Sequence, residues 1–424
     1  MEIEQEHTGS YYAATVNQVT NYPPLQENLR VDVCVIGAGF TGISSALALS
    51  ERGYKVCVLE ANRIGWGASG RNGGQMIFGV GGEDKLVKKD PGLADLMWEM
   101  GWRGHEIIRE RVERYAIDCD LKYGYVDVAI KARHLRELEE AEERLNRRNF
   151  EYEHRLLSAQ ETSDALGTDV YIGAHLNMAN GHLHPLNLCI GEALAAESLG
   201  ALLYEQSPAL KIDYGDKVCV MTKHGSVTAD TVLLAGNAYQ WVEKSLRRRF
   251  LPVRSFIIAT EPLSGDLLNT VNPQDLAVCD PNFLLEYFRL SADKRLLFGN
   301  RFRYVGDDKD VIVANHWPKM LRIYPQLKDV RIDYGWGGKI AVTINRVPQL
   351  GRIAPNVFFS HAYSGHGVNV THLAGEVVAE AISGTMERFD VLSSMPSIPL
   401  PGVNQFGDAM VSLGVLYYGL KDKL

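Results

Sequence analysis

The glycines at Gly37, Gly39 and Gly42, in the run GAGFTG, have the spacing that holds a pyrophosphate. Gly37 permits a tight turn, Gly39 lets backbone approach the phosphates, and Gly42 allows a helix to pack closely on a strand. Ala38, Phe40 and Thr41 complete the turn, and the helix they open presents unpaired N–H groups to an anion. Glu60 stands 23 positions after Gly37. Its carboxylate can accept hydrogen bonds from a ribose diol and would repel a 2′-phosphate. The motif is weak alone, but here it follows an apolar run and precedes a helical pattern. NAD and FAD share it.

A second glycine-rich stretch, IGWGASGRNGGQ, closely follows Glu60. Gly67, Ala68, Ser69, Gly70, Arg71, Asn72, Gly73, Gly74 and Gln75 combine freed backbone amides with one fixed positive charge. Such a loop can form an anion-binding nest and lie against a flat ring system. Glycines needed only for the shape of the loop are the plainer alternative.

The elements that must position these residues are legible nearby. VDVCVIG (Val31–Gly37) and YKVCVLE (Tyr54–Glu60) are near-continuous apolar runs, as in strands buried on both faces. TGISSALALSERG between them has helical spacing and stops at a glycine, completing a βαβ unit. A helical segment is predicted from about Gly82 to Arg114, and a charged, solvated helix over His134–Arg148. The run from Gly181 to Glu205 reads as turn, helix and short strand. From Val218 to Trp241 a hairpin is predicted, then a separate buried strand at Thr231–Ala235. Alternating strands and turns from Val253 to Asn300 suggest an antiparallel sheet. NVFFSHAYSGHGVN returns to strand, glycine-rich turn and helix.

The fold class predicted is α/β (α+β overall). A discontinuous Rossmann-like dinucleotide-binding domain (28–80, 150–240 and 335–390) carries an inserted antiparallel-sheet substrate domain (81–149 and 241–334). Residues 391–424 form a tail with a terminal helix docked on the core.

At 424 residues the chain exceeds one ordinary core. A formal net charge of −8 argues against a nucleic-acid partner. The six cysteines show no CxxC spacing, so neither zinc nor a disulfide framework is predicted, and no metal site is expected. The polar start lacks the basic and apolar regions of a signal peptide, and no run is long enough to span a bilayer. These features predict a cytoplasmic protein, with its oligomeric state left open.

The pairing of VIGAGFTGISSALALSERGYKVCVLEA with ASGRNGG, and later AYSGHGVN, resembles the D-amino-acid oxidase/glycine oxidase/sarcosine oxidase family of FAD-dependent oxidoreductases. Further segments, among them GHLHPLNLCIGEA and LRIYPQLKDVRIDYGWGG, are similar to its bacterial members that oxidise gamma-glutamylputrescine. The resemblance implies extended FAD, with its ADP half at Gly37–Gly42 and Glu60. It puts Ala209 near the adenine and Ala235 and Gly236 near the dinucleotide. Ser364, Gly365, His366, Gly367, Val368 and Asn369 would lie at the pyrimidine end of the flavin. His366 could add positive charge there or merely pack in the turn.

Some relatives hold FAD on a cysteine near the position of Gly338, so glycine there implies noncovalent FAD. Relatives that oxidise α-amino acids hold the carboxylate with an arginine in this region, where Arg346 either takes that role or pins the loop. Leu297 falls where some oxidases carry a lysine for oxygen reaction. Trp66, Tyr287, Trp336 and Tyr363 are candidate aromatic walls, with Tyr287 preferred. By strand alternation Arg289 shares the face of Tyr287 and could meet a distant glutamyl carboxylate. The implied function is oxidation of a small-molecule amine, a glutamylated polyamine above others, to an imine that hydrolyses to aldehyde and ammonia. Oxygen is the implied acceptor. A dehydrogenase passing electrons to a quinone or carrier, and a noncatalytic flavin-binding subunit, are the alternatives.

Overall fold

The structure, a computed structural model, describes residues 5–239, 242–282, 284–301, 306–400 and 402–422. The apolar runs become strands. In chain order these are β1 (Asn28–Ile36), β2 (Val56–Leu59), β3 (Gln75–Met76), β4 (Lys122–Ala129), β5 (His154–Ser158) and β6 (Gly173–His182). There follow β7 (Leu202–Tyr204), β8 (Lys211–Asp213), β9 (Val218–Met221), β10 (Ser226–Leu234), β11 (Leu251–Thr260) and β12 (Ala277–Cys279). The last are β13 (Tyr287–Leu290), β14 (Leu296–Asn300), β15 (Ile332–Val342), β16 (Gln349–Ala354) and β17 (Val357–His361).

The strands form two sheets. The first has the order β16-β17-β10-β1-β2-β7, with β9 and β8 added beyond β10. Strands β7, β2, β1, β10 and β17 are parallel neighbours. Their register brings Ile36 beside Leu59 and Leu234, and Leu234 beside Phe359. Four strands therefore end at one edge, where ligands of open parallel sheets bind. The second sheet runs β15-β11-β14-β13-β12-β4-β6-β3, with β5 on β6. All its pairings are antiparallel except β12 with β4.

Several expectations need correction. β5 and β6 lie in the second sheet, although residues 150–182 were assigned with the dinucleotide-binding segments. β15 also belongs there and runs to Val342, past the expected boundary at 335. The hairpin arm and the buried strand near Thr231 are one strand, β10, which pairs with β9 over its first half and with β1 along its length. The predicted helix from Gly82 to Arg114 is two helices, Glu83–Lys89 and Ala94–Arg114, interrupted at Asp90-Pro91-Gly92. Strand β4 was missed, because Gly124 and two tyrosines obscured its alternation. The terminal helix spans Val403–Lys421 and lies beside β11. Among the described residues no helix is long and apolar enough to cross a membrane.

Gly42 explains how the Phe40–Glu51 helix meets its strand. A Cβ there would fall 1.9 Å from the Gly37 carbonyl oxygen. Behind that helix, a buried ionic cluster joins four helices. Arg111 Nη1 donates to Glu192 Oε1 and to Ser44 Oγ, each at 2.7 Å, and His372 Nε2 lies 3.1 Å from Glu192 Oε2. Burial alone would raise the Glu192 carboxyl, but His372 and Arg111 hold it below the ordinary carboxylate range.

Removing the carboxylate leaves the arginine buried and unpaired. The Glu192→Ala variant is expected to lose about 3–5 kcal/mol of stability in urea unfolding. Because the folded value is lowered, this contribution is present at neutral pH and disappears as pH falls through that value. Glu192→Gln should therefore lack that part of the wild-type acid-side loss; identical acid limbs would refute the assignment.

Candidate active site

The turn after β1 carries Gly37 at φ +105°, and a Cβ there would meet the Ala235 carbonyl oxygen at 3.0 Å. Gly39 caps the Phe40–Glu51 helix. Ser69 Oγ accepts from the Phe40 N–H at 2.9 Å, so the glycine-rich loop touches the helix N-terminus. Glu60 leaves β2 and grips the same turn, its Oε2 accepting from Ala38 N–H at 2.7 Å and its Oε1 from Asn62 N–H at 2.9 Å. Burial pushes its carboxyl up to about 7, against the pull of those amides.

A cavity of about 500 Å³ starts at this turn and continues to the second sheet. Gly37, Gly39, Phe40, Thr41, Glu60 and Ala61 line its beginning, with Ala209, Ala235 and Gly236. Gly67, Ala68, Ser69, Arg71, Asn72, Gly73 and Gln75 line its middle. Ser364, Gly365, His366, Gly367, Val368 and Asn369 close it from β17, with Gly338 opposite. Of the residues anticipated for the cofactor, Ala38, Gly42, Gly70 and Gly74 lie behind this wall and shape it.

The glycines of Ala68–Gly74 answer to protein neighbours as well as to the cavity. A Cβ at Gly70 would strike the Gly65 carbonyl oxygen at 2.4 Å, one at Gly73 the Tyr287 ring at 2.6 Å, and one at Gly74 the Leu183 carbonyl oxygen at 2.1 Å. Asn72 folds the loop on itself, donating to the Ala68 and Ser69 carbonyls and accepting from Gly74 N–H. Arg71 stacks over Trp66 at 4.2 Å, and its Nε donates to the Trp66 carbonyl. Its charge is thus held along the loop rather than freely extended.

On the opposite side, Ala362, Ser364 and Gly365 all take positive φ, turning β17 sharply into the Gly367–Ile382 helix. The Tyr363 hydroxyl lies 2.8 Å from Thr41 Oγ1 and 2.7 Å from Ser360 Oγ. It ties this turn to the glycine motif, and burial pushes it up to about 12. The hydroxyl is therefore engaged in positioning and unsuited to proton transfer near neutrality. His366 Nε2 is buried and has no hydrogen-bond partner.

The second sheet supplies the remaining wall. Tyr287 faces the cavity as anticipated, its hydroxyl 3.4 Å from Ser255 Oγ and pushed up to about 12 by burial. Arg346 and Trp66 also line it. Arg289 and Trp336 do not. Arg289 is 2% exposed and spends its guanidinium on the Gly73, Leu183 and Leu290 carbonyls and the Tyr12 hydroxyl. It shares the face of Tyr287 but sits beneath the loop. Trp336 is 1% exposed, donates its indole N–H to the Arg71 carbonyl, and packs on Tyr12. Leu297 is buried core on β14. Tyr125, Asp127, Cys279 and Arg301 line the cavity and were not anticipated. Reading KYGYVDVA with period two would have put Tyr125 and Asp127 on one face. Elsewhere, Glu142 Oε2 joins His154 and His175 at 2.8 and 2.9 Å, a grouping of metal-ligating side chains that spacing did not suggest.

The cradle fits an extended dinucleotide: close-approach glycines, a half-buried acid at the second strand end, and a cavity that runs on beneath a second loop. Residues 32–381 match the family described as DAO, FAD dependent oxidoreductase. The chain belongs to this family. Its cofactor is FAD, and the enzyme is an oxidoreductase. It is 44% identical over 424 residues to gamma-glutamylputrescine oxidoreductase of Escherichia coli, covering 99% of each chain. It is 43% identical to a probable oxidoreductase of Haemophilus influenzae, covering 99% of this chain and 98% of that one. Solved structures share the fold. L-proline dehydrogenase from P. horikoshii has TM-score 0.71 at 21% identity, covering 86% of this chain and 98% of that one. Glycine oxidase from Geobacillus kaustophilus has TM-score 0.67 at 20% identity, covering 84% and 95%.

Overpacking the loop tests its part in cofactor retention. Gly73→Ala is expected to lower flavin binding on the order of tenfold, from a cost of about 1–3 kcal/mol. The visible absorbance per protein after gel filtration reports it. A second change, Tyr287→Leu, should restore retention by making room; no recovery would show that the ring is not the obstacle.

Proposed function

We propose that this enzyme oxidises gamma-glutamylputrescine or a related glutamylated polyamine, with oxygen reduced to hydrogen peroxide. The full-length likeness to the Escherichia coli enzyme of that name carries the reading. Bound FAD would accept a hydride equivalent from the carbon beside a neutral amine. The substrate loses two electrons and two protons, which oxygen takes up as peroxide; water then converts the imine to aldehyde and ammonia.

The chain's own contribution is binding, orientation and exclusion of water. Gly37, Gly39, Thr41 and Glu60 would hold the ADP half, and Gly67–Gln75 the middle of the cofactor. Ser364–Asn369 would hold the pyrimidine edge, where the N-terminus of the Gly367–Ile382 helix, capped by His366, offers a positive end to developing negative charge. Tyr287 gives an aromatic wall for the aliphatic chain. No side chain needs to act as general base, provided the amine arrives neutral. FAD is noncovalent in this reading: Gly338 has no thiol, and burial raises the thiol of Cys279, the cysteine that lines the cavity, which opposes its becoming a thiolate nucleophile.

Acid precipitation of the yellow protein should release the flavin into solution. Anaerobic addition of gamma-glutamylputrescine should bleach it, and in air the same substrate should yield peroxide in preference to free putrescine. Bleaching without peroxide would instead identify a dehydrogenase with a quinone or carrier acceptor. A protein that no amine bleaches would overturn the amine reading and leave a flavin-binding subunit.

A further inference from the structure

β4 and the residue after β14 bring an acid, Asp127, and a guanidinium, Arg301, to the same cavity. Asp127 stands two residues from Tyr125, whose hydroxyl donates to Asp127 Oδ1 at 2.8 Å. No lysine or arginine among the described residues forms an ion pair with Asp127. Burial raises its carboxyl above the ordinary range, opposed by that hydrogen bond. Arg301 follows β14 and lies against the Gly365 turn, where a Cβ would come within 2.5 Å of its Nη2. Its Nε is buried without a partner. Burial, and then the neighbouring Arg346, bring this guanidinium down to about 10. Cys279 lines the same cavity as Asp127 and Arg301.

Buried opposite charges normally pair, because each is costly alone. Asp127 and Arg301 are half-buried, line the same cavity and form no ion pair with each other. A ligand that carries both an ammonium and a carboxylate would satisfy both. We propose that Asp127 and Arg301 bind the α-ammonium and α-carboxylate of the substrate's glutamyl end, and that this pair is what selects glutamylated amines over free diamines. A diamine offers only cations, leaving Arg301 unpaired and facing a like charge. The assignment rests on the glutamyl-amine reading above.

The test uses FAD-loaded enzyme and three unreactive butylamides measured by calorimetry. One is γ-glutamyl butylamide, one glutaryl butylamide without the α-amine, and one 4-aminobutanoyl butylamide without the carboxylate. Asp127→Asn should weaken the γ-glutamyl probe about thirtyfold and leave the glutaryl probe within about twofold. Arg301→Gln should weaken the γ-glutamyl probe equally and spare the aminobutanoyl probe. Unchanged affinities, or equal losses for all three probes, would overturn the assignment. Flavin absorbance reports whether each variant is folded; should Asp127→Asn lose flavin, Tyr125→Phe, which removes the hydroxyl orienting the carboxylate, is read with the same probes. Wild-type enzyme that oxidises an amine yet binds no γ-glutamyl probe overturns this inference and the glutamyl specificity but not amine oxidation. Wild-type enzyme that binds the probe with the predicted variant pattern but is not bleached by any amine upholds the pair and overturns the oxidase reading.

Discussion

Parallel strands that end in register leave their next residues crowded along one edge, and this protein builds its site on that constraint. Tyr204, Leu59, Ile36 and Leu234 finish four neighbouring strands at the same level, with Phe359 of β17 beside Leu234. The glycine turn, Glu60, Ala235-Gly236 and the Tyr363–Asn369 turn therefore arise within one small region, although they span more than three hundred residues of chain. A helix N-terminus and a half-buried carboxylate meet there because backbone pairing sets their height.

The second sheet depends on that edge through the Ala68–Gly74 loop. Tyr287 from β13 presses on Gly73, Arg289 from the same strand donates to the Gly73 carbonyl, and Trp336 from β15 donates to the Arg71 carbonyl. The loop is thus a tie between the sheets as well as a wall of the cavity. Arg289 shows how the tie is made: a buried cation neutralised by carbonyl dipoles holds several backbone segments at fixed distance. Its position beneath the loop keeps it from the cavity, which Arg71, Arg301 and Arg346 line.

Much of the first sheet was legible because buried parallel strands write themselves as unbroken apolar runs, and because the glycine motif sits between two of them. The second sheet was less so. β4 contains Gly124 and polar residues at Lys122 and Asp127; β6 pairs with it and β5 with β6, both from a segment that looked contiguous with the nucleotide-binding part. Strand membership there is decided by partners far along the chain, and a local pattern carries no trace of them. The terminal helix was readable as a helix, and its neighbour β11 was not.

The sequence by itself determined the dinucleotide turn, the acid after the second strand, and the glycine-rich turn of Ser364–Asn369. Each depends on local backbone conformation and on helix ends, which a short run of residue types encodes. Tertiary structure alone decided which side chains of the second sheet reach the cavity. Alternation correctly put Arg289 on the face of Tyr287, yet packing under the loop buried it, while Arg301, beyond the end of β14, reached the cavity wall. The reason is physical: a side chain's face follows from its own strand, but what lies above that face is supplied by another part of the chain.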